Sequence, residues 1–142
     1  MKKLSYLLST GVLFVLLTII GCGSDDGGPS EEETQTALLN GTWTATSVTT
    51  DGSRRTDYDG FTITFTDGNY TTSGGPDLLP FSNSESWDFG SPVTSSITLG
   101  SQSMNYAVTN EALTLSFAYT GEGFNNARTA EVEGAWVFTF ER

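Results

Sequence analysis

The 142-residue sequence contains no histidine, one cysteine and only six basic residues. Without an imidazole, histidine-dependent catalytic triads and histidine metal sites are excluded. The only lysines, Lys2 and Lys3, lie at the N-terminus, so the remainder of the chain offers neither a Schiff-base lysine nor a P-loop. No serine or threonine stands beside a recognisable catalytic base. We therefore expect no enzyme, no cofactor and no metal centre.

The N-terminal segment has the organisation of a bacterial export signal. Its two lysines form a basic start, residues 4–20 are mostly apolar, and the small Gly21 precedes the single cysteine, Cys22. Residues 19–22, Ile-Ile-Gly-Cys, resemble the lipobox of bacterial lipoproteins, which implies cleavage after Gly21 and lipidation of Cys22. The alternatives are an ordinary signal peptide or a transmembrane anchor with a chance cysteine, and both are disfavoured, since the apolar run is short for a membrane span. Several acyl chains on one residue would instead give a stable tether.

The segment after the lipidation site favours the outer membrane. Residues 23–36 are rich in Gly, Ser, Asp and Glu, a composition typical of a flexible spacer. Gly23, rather than the aspartate of an inner-membrane retention signal, follows the cysteine. Residues 24–26, Ser-Asp-Asp, resemble the export signal of surface lipoproteins in Bacteroidota, which implies display on the cell surface. The chain thus divides into a signal peptide, a lipidated flexible linker and one folded domain: residues 1–21, 22–37 and 38–142.

Charge limits the partners of the processed chain. Once both lysines leave with the signal, four arginines face 17 acidic residues, for a net charge of −13. Nucleic acids and anionic membrane surfaces are therefore poor partners. We expect membrane attachment through the N-terminal lipid, and either a small hydrophobic ligand or an envelope protein as the further partner.

The folded domain is predicted to be all-β. No stretch after Thr36 repeats apolar residues at helical spacing, whereas short alternating segments recur between Gly, Asn, Asp and Pro. In each segment one face is apolar, as in Phe61, Ile63 and Phe65. Such strands must close into a barrel or pack as two sheets, and loop lengths favour an eight-stranded antiparallel up-and-down barrel. The eight predicted strands are residues 41–50, 61–66, 69–73, 85–90, 95–99, 104–109, 112–119 and 128–141.

The two ends of this barrel are expected to differ. With the first strand running upward, short turns collect at the lower end and long loops at the upper end. The predicted upper connections are residues 51–60, 74–84, 100–103 and 120–127.

Residues 41–43, Gly-Thr-Trp, are similar to the G-x-W motif that opens the first strand of lipocalins. Barrel closure would pair the last strand with the first and bring Arg142 beside Trp43, where cation–π attraction applies. Lipocalins likewise lay an arginine over that tryptophan. The folded part also resembles the small lipocalin-like domains of Bacteroidota lipoproteins. The resemblance implies a closed end packed by Gly41, Trp43 and Arg142, with any ligand site at the opposite end.

Three of the four arginines map to the predicted open end: Arg54, Arg55 and Arg128. In so acidic a chain, their clustering favours recognition of a carboxylate or another anionic head group. The alternative is that Arg128 pairs with Glu85, which lies on the inward phase, or with Asp57 or Asp59. The candidate ligand-binding residues are Arg128, Arg54, Arg55, Tyr119 and Glu85.

Three functions remain open. The first is a lipocalin-like carrier that binds a small apolar or amphipathic molecule at the open end. The second is a filled barrel that acts as a structural or interaction module, and the third is a carbohydrate-binding β-sandwich. The apolar loop residues either form a lid or docking patch or tuck into the barrel and cap its core: Leu78, Leu79, Pro80, Phe81 and Phe124.

Overall fold

A computed structural model describes residues 27–76, 79–120 and 133–142. Within these ranges a short helix precedes a series of antiparallel strands. Met1 to Asp26, which include the predicted signal peptide and Cys22, lie outside the described residues, as do Arg128, Leu78 and Phe124. The elements are α1 (Glu31–Leu39), β1 (Gly41–Thr50), β2 (Ser53–Arg54), a 3₁₀ helix (Thr56–Tyr58), β3 (Thr62–Thr66), β4 (Asn69–Ser73), β5 (Ser84–Phe89), β6 (Ser96–Leu99), β7 (Gln102–Val108), β8 (Ala112–Tyr119) and β9 (Gly134–Glu141).

The strands form a closed barrel. Each strand from β3 onward pairs antiparallel with its neighbour in the chain, and β9 returns to pair with β1. Eight strands make this closed wall, and the two-residue β2 is added beside the upper end of β1. The up-and-down, lipocalin-like barrel is confirmed. The β-sandwich alternative is wrong, because pairing of β1 with β9 joins the sheet into one cylinder.

A bulge in β1 breaks the simple alternation of faces. Its pairing with β9 shifts register between Ala45 and Ser47, so that Thr46 is the extra residue. The Thr46 hydroxyl donates to the carbonyl oxygen of Thr139 at 3.2 Å. Trp43 is buried before the bulge and Val48 after it, an odd spacing of five positions. Strict period-two alternation could not have predicted this change of phase.

The first upper connection is more ordered than the predicted loop. Asp51 and Gly52 both have positive φ, 49° and 77°, which is the backbone of a tight two-residue hairpin turn. The Asp51 carboxylate accepts the backbone N–H of Ala135 at 2.8 Å and so ties this turn to β9. Beyond the turn, β2 returns along β1. The prediction of eight strands therefore missed one short strand.

Helix α1 begins inside the segment predicted to be a flexible spacer. Ser30 Oγ accepts the backbone N–H of Glu33 at 3.1 Å, and the Glu33 carboxylate accepts that of Ser30 at 2.7 Å. This reciprocal capping box, with three glutamates in the first turn, stabilises the helix start. Leu39, at the helix end, is fully buried. The flexible-spacer interpretation is therefore wrong for residues 31–36.

The barrel interior is built almost wholly from inward-facing apolar side chains. The alternation predicted from the sequence holds in β3, β8 and β9, where every second residue is buried. Among the described residues, no polar or charged residue type is fully buried. The largest fully buried side chains are those of Trp43, Trp136, Tyr58, Tyr70, Phe61, Phe65, Phe81, Phe138 and Phe140.

Candidate functional site at the upper rim

The lower end of the barrel is closed by an arginine stacked on a tryptophan. The Arg142 guanidinium carbon lies 4.3 Å from the centroid of the Trp43 ring. Its Nε donates to the carbonyl oxygen of Asn110 at 2.7 Å and its Nη1 to that of Asn40 at 3.0 Å. The indole Nε1 of Trp43 donates to the carbonyl oxygen of Leu39 at 2.8 Å. Together these contacts join α1, the β7–β8 turn and the end of β9.

Gly41 is required at this closed end by its backbone conformation. Its φ of +127° lies in a region that L-residues rarely adopt. A Cβ at this position would also stand 3.4 Å from Arg142 Nη1. The three residues expected to pack together, Gly41, Trp43 and Arg142, are adjacent in the structure.

The opposite end, which we call the upper rim, holds the β1–β3 and β6–β7 connections, the described residues of the β4–β5 connection, the end of β8 and the start of β9. Here Arg55 donates to both carboxylate oxygens of Asp57, with Nε at 2.9 Å and Nη2 at 2.6 Å. These hydrogen bonds lower the pKa of the Asp57 carboxyl below its ordinary value. The same guanidinium lies 5.0 Å from the Trp136 ring and 5.6 Å from the Tyr58 ring. Arg55 is therefore held against the rim by a carboxylate and two aromatic rings.

Arg54 and Arg55 each pair with a neighbouring carboxylate. Arg54 Nη2 lies 3.2 Å from Asp59 Oδ1, and the two side chains are 61% and 64% exposed. Exposed pairs of this kind are weak and screened by solvent. The aspartates that the sequence offered as partners for Arg128 are thus engaged by Arg54 and Arg55.

Glu85 and Tyr119 lie on two other strands of the wall, β5 and β8. Glu85 shares the face of its buried partner Tyr70, which is the inward phase predicted for it, but the residue is exposed near the upper end of β5. Its carboxylate lies against Gly100, where a Cβ would collide with it. Tyr119 is half-buried at the upper end of β8, opposite Gly134 in the register. Among the described residues, no ion pair links Glu85 to either rim arginine.

Phe81, from the β4–β5 connection, places its ring inside the upper half of the barrel. Its ring is 1% exposed and meets the rings of Phe61 at 6.5 Å, Tyr70 at 6.3 Å, Phe117 at 6.0 Å and Phe138 at 5.6 Å. These partners belong to different parts of the wall, so the Phe81 ring lies between opposite sides of the barrel. The sequence alone does not decide whether this loop caps the core or forms a lid or docking patch.

Neighbouring residues of the same loop are buried with Phe81. Leu79 is 4% exposed, and Pro80 is buried as well. For the three described loop residues, Leu79, Pro80 and Phe81, the structure supports tucking into the barrel. Their apolar side chains therefore cap the core instead of forming an exposed docking patch.

Tyr58 fills the space beneath Arg55. The 3₁₀ helix turns its ring into the core, where it meets Phe61 at 5.5 Å, Trp136 at 5.6 Å and Phe138 at 5.3 Å. Burial raises the pKa of its phenol well above the ordinary value. Sequence analysis did not assign Tyr58 to the core, because it follows a turn instead of lying in an alternating strand.

Three pockets lined by described residues are open to solvent. One of about 510 Å³ lies along α1, one of about 350 Å³ lies beside Glu111 and Arg142, and one of about 230 Å³ lies where β7 and β8 diverge. No group of three Cys, Asp or Glu side chains in the described ranges is arranged to hold a metal ion. In the same ranges, no helix is both long and apolar enough to span a membrane.

No protein-family model matches this sequence, and no significant match was found among curated proteins or solved structures.

Proposed function

We propose that this chain is a lipid-anchored protein of the bacterial outer membrane, displayed at the cell surface, whose filled barrel is a non-enzymatic interaction module. One observation carries the proposal: the ring of Phe81 occupies the space between opposite barrel walls. An eight-stranded barrel is just wide enough either to be filled by side chains or to hold one small ligand. Phe81 favours the filled state and so favours a partner protein over a carried molecule.

The aromatic packing around Phe81 strengthens this choice. Phe138 stacks nearly parallel to Phe117 and Phe140, with interplanar angles of 9° and 11°, and centroid separations of 6.2 and 6.0 Å. Trp136 stacks on the same ring at 5.7 Å and 20°. A ligand pocket typically needs a cavity of about 300 to 1,000 Å³. A carrier would therefore have to move Phe81 out of the barrel centre.

The position of α1 orients the barrel relative to the proposed anchor. Helix α1 packs at the lower end, where the Tyr106 hydroxyl donates to Gln35 Oε1 at 3.0 Å and Leu39 is buried. Glu31 lies only nine positions after Cys22 in the chain, a span of at most about 30 Å when fully extended. The lower end would therefore face the membrane, which leaves the upper rim and the outer wall accessible to a partner.

Native mass spectrometry of the lipidated protein purified from its host tests this function. We expect the mass of the chain from Cys22 onward plus its acyl groups, with no further small molecule. A Cys22→Ser variant should lose the acyl mass and fail to fractionate with membranes. A stoichiometric apolar molecule that dissociates only on unfolding would overturn the filled-barrel proposal in favour of a carrier.

A further inference from the structure

Strands β7 and β8 part before either of them ends. Their pairing stops at Asn105 opposite Ser116, although β7 begins at Gln102 and β8 runs on to Tyr119. Ser103 and Ala118 would be the next hydrogen-bonding pair, but no ladder among the described residues joins them. The opening, which we call the β7–β8 slot, has a volume of about 230 Å³ and is lined by Ser96, Ser103, Met104, Asn105, Ser116, Phe117 and Ala118.

The backbone on both sides of the slot points into it. The N–H of Tyr106 donates to the carbonyl oxygen of Ser95 at 3.0 Å, away from β8. Because successive residues of a strand direct their N–H and C=O groups to opposite sides, those of Asn105 and Ser103 are directed toward β8. By the same alternation, Ala118 directs its backbone groups toward β7, as Ser116 does. Ser103 and Ala118 are both exposed residues.

None of the described residues that line the slot carries a charge. Its walls are serines, Asn105 and Ala118, and its floor is formed by Met104 and Phe117, which are 4% and 8% exposed. On the outer face beside it, the register places Ala118 next to Ala135, and Ser116 next to Val137. Val137, 38% exposed, is the large hydrophobic residue most open to solvent in the described part of the chain. In so acidic a domain, an uncharged region of this kind favours an uncharged partner.

We propose that the β7–β8 slot binds an extended, uncharged peptide segment of a partner protein, which continues the interrupted ladder by pairing with Ser103 or Ala118. This inference rests on the proposed interaction function. Backbone edges of a sheet recognise extended peptides through main-chain hydrogen bonds, and adjoining side-chain pockets add selectivity. A sugar fits less well, because all three tryptophans are buried and give the slot no exposed indole platform.

The experiment uses the full-length chain in detergent micelles and a blocked pentapeptide, acetyl-Thr-Val-Thr-Val-Thr-amide. We expect weak saturable binding in which the amide signals of Ser103 and Ala118 shift in NMR spectra and exchange more slowly with solvent. A version of the peptide with two N-methylated valines keeps its side chains but loses backbone donors. It should bind at least tenfold more weakly.

Matched variants place the binding on the slot. Ala118→Arg should weaken binding of the pentapeptide at least tenfold, whereas Ala112→Arg should leave it unchanged, because Ala112 is an exposed residue at the lower end of the same strand. Absence of pentapeptide binding, equal binding of the N-methylated peptide, or equal loss in both arginine variants would overturn the slot proposal. None of these results would reveal a carried small molecule, which the mass measurement on host-purified protein detects separately.

Discussion

The ring of Phe81, held by the β4–β5 connection, packs edge-on against the ring of Phe138 on β9, with centroids 5.6 Å apart and planes at 60°. This contact joins a loop at the upper rim to the wall that closes the barrel. A loop that merely covered the opening would not bring its aromatic side chain to the same depth as a core residue of β9. The upper rim is thus closed from within.

Truncation of the Phe81 side chain tests the energetic role of this contact. Phe81→Ala should lower the free energy of unfolding by about 3–5 kcal/mol, because it removes a buried ring and leaves a cavity. Urea denaturation followed by tryptophan fluorescence measures the change. The variant should also bind a small apolar probe such as benzene, which the unaltered chain should not. Phe81→Leu, the matched control, should lose less stability, and a Phe81→Ala variant as stable as the parent would show that the ring does not support the core.

The closed end gives a second prediction. Arg142→Lys should lower the free energy of unfolding by about 1–2 kcal/mol, since lysine cannot reproduce both carbonyl hydrogen bonds and the flat stack over Trp43. Arg54→Lys is the control, because its exposed pair with Asp59 should change stability by less than about 0.5 kcal/mol. Equal midpoints for the two variants in urea denaturation would argue against a structural role of Arg142.

Alkaline pH should unfold the barrel. Burial raises the pKa of Tyr58 and of Tyr70, and raises that of Tyr106 to about 12. In the unfolded chain each phenol ionises near pH 10, so the stability due to the neutral phenols is complete below pH 10. It is lost as the pH rises through the folded-state values, by up to about 1.4 kcal/mol per pH unit for each tyrosine. Urea midpoints measured from pH 8 to 11.5 should fall above pH 10, and a flat profile would contradict this.

Two tyrosine-to-phenylalanine changes should differ in sign. No described residue forms a hydrogen bond with the buried Tyr70 hydroxyl, so Tyr70→Phe should leave stability unchanged or raise it by up to about 1 kcal/mol. The Tyr106 hydroxyl lies within hydrogen-bonding distance of two acceptors, the carbonyl oxygen of Val93 and Oε1 of Gln35. Tyr106→Phe should therefore cost about 1–2 kcal/mol. A loss for Tyr70→Phe equal to that for Tyr106→Phe would show that the Tyr70 hydroxyl has a bound partner.

The limits of a strand could be predicted from the sequence where the alternation of apolar and polar residues alone determines them. The predicted limits of β1, β4 and β8 agree with the structure at both ends. Alternation could not anticipate the Thr46 bulge, because an inserted residue leaves the composition of the strand unchanged. It also missed β2, which depends on a two-residue turn after β1. Helix α1 carried a readable signal, the Ser30–Glu33 capping box, which the polar composition around it obscured.

The candidate site was predictable only in part. The order of strands placed Arg54 and Arg55 at the upper rim and Arg142 at the lower end, since pairing of consecutive strands fixes which ends meet. The partners of the rim arginines depend on the path of one short connection, and the depth of Phe81 depends on the path of another. Such paths are set by tertiary packing and leave little trace in local sequence patterns.

The most direct measurement of the central claim is a set of NMR proton–proton contacts for the Phe81 ring in lipidated protein purified from its host. A filled barrel predicts strong nuclear Overhauser effects from this ring to both Tyr70 and Phe138, with no signals from a bound small molecule. A Phe81 ring that contacts neither residue, accompanied by intermolecular effects from a molecule inside the barrel, would contradict the filled barrel and establish a carrier.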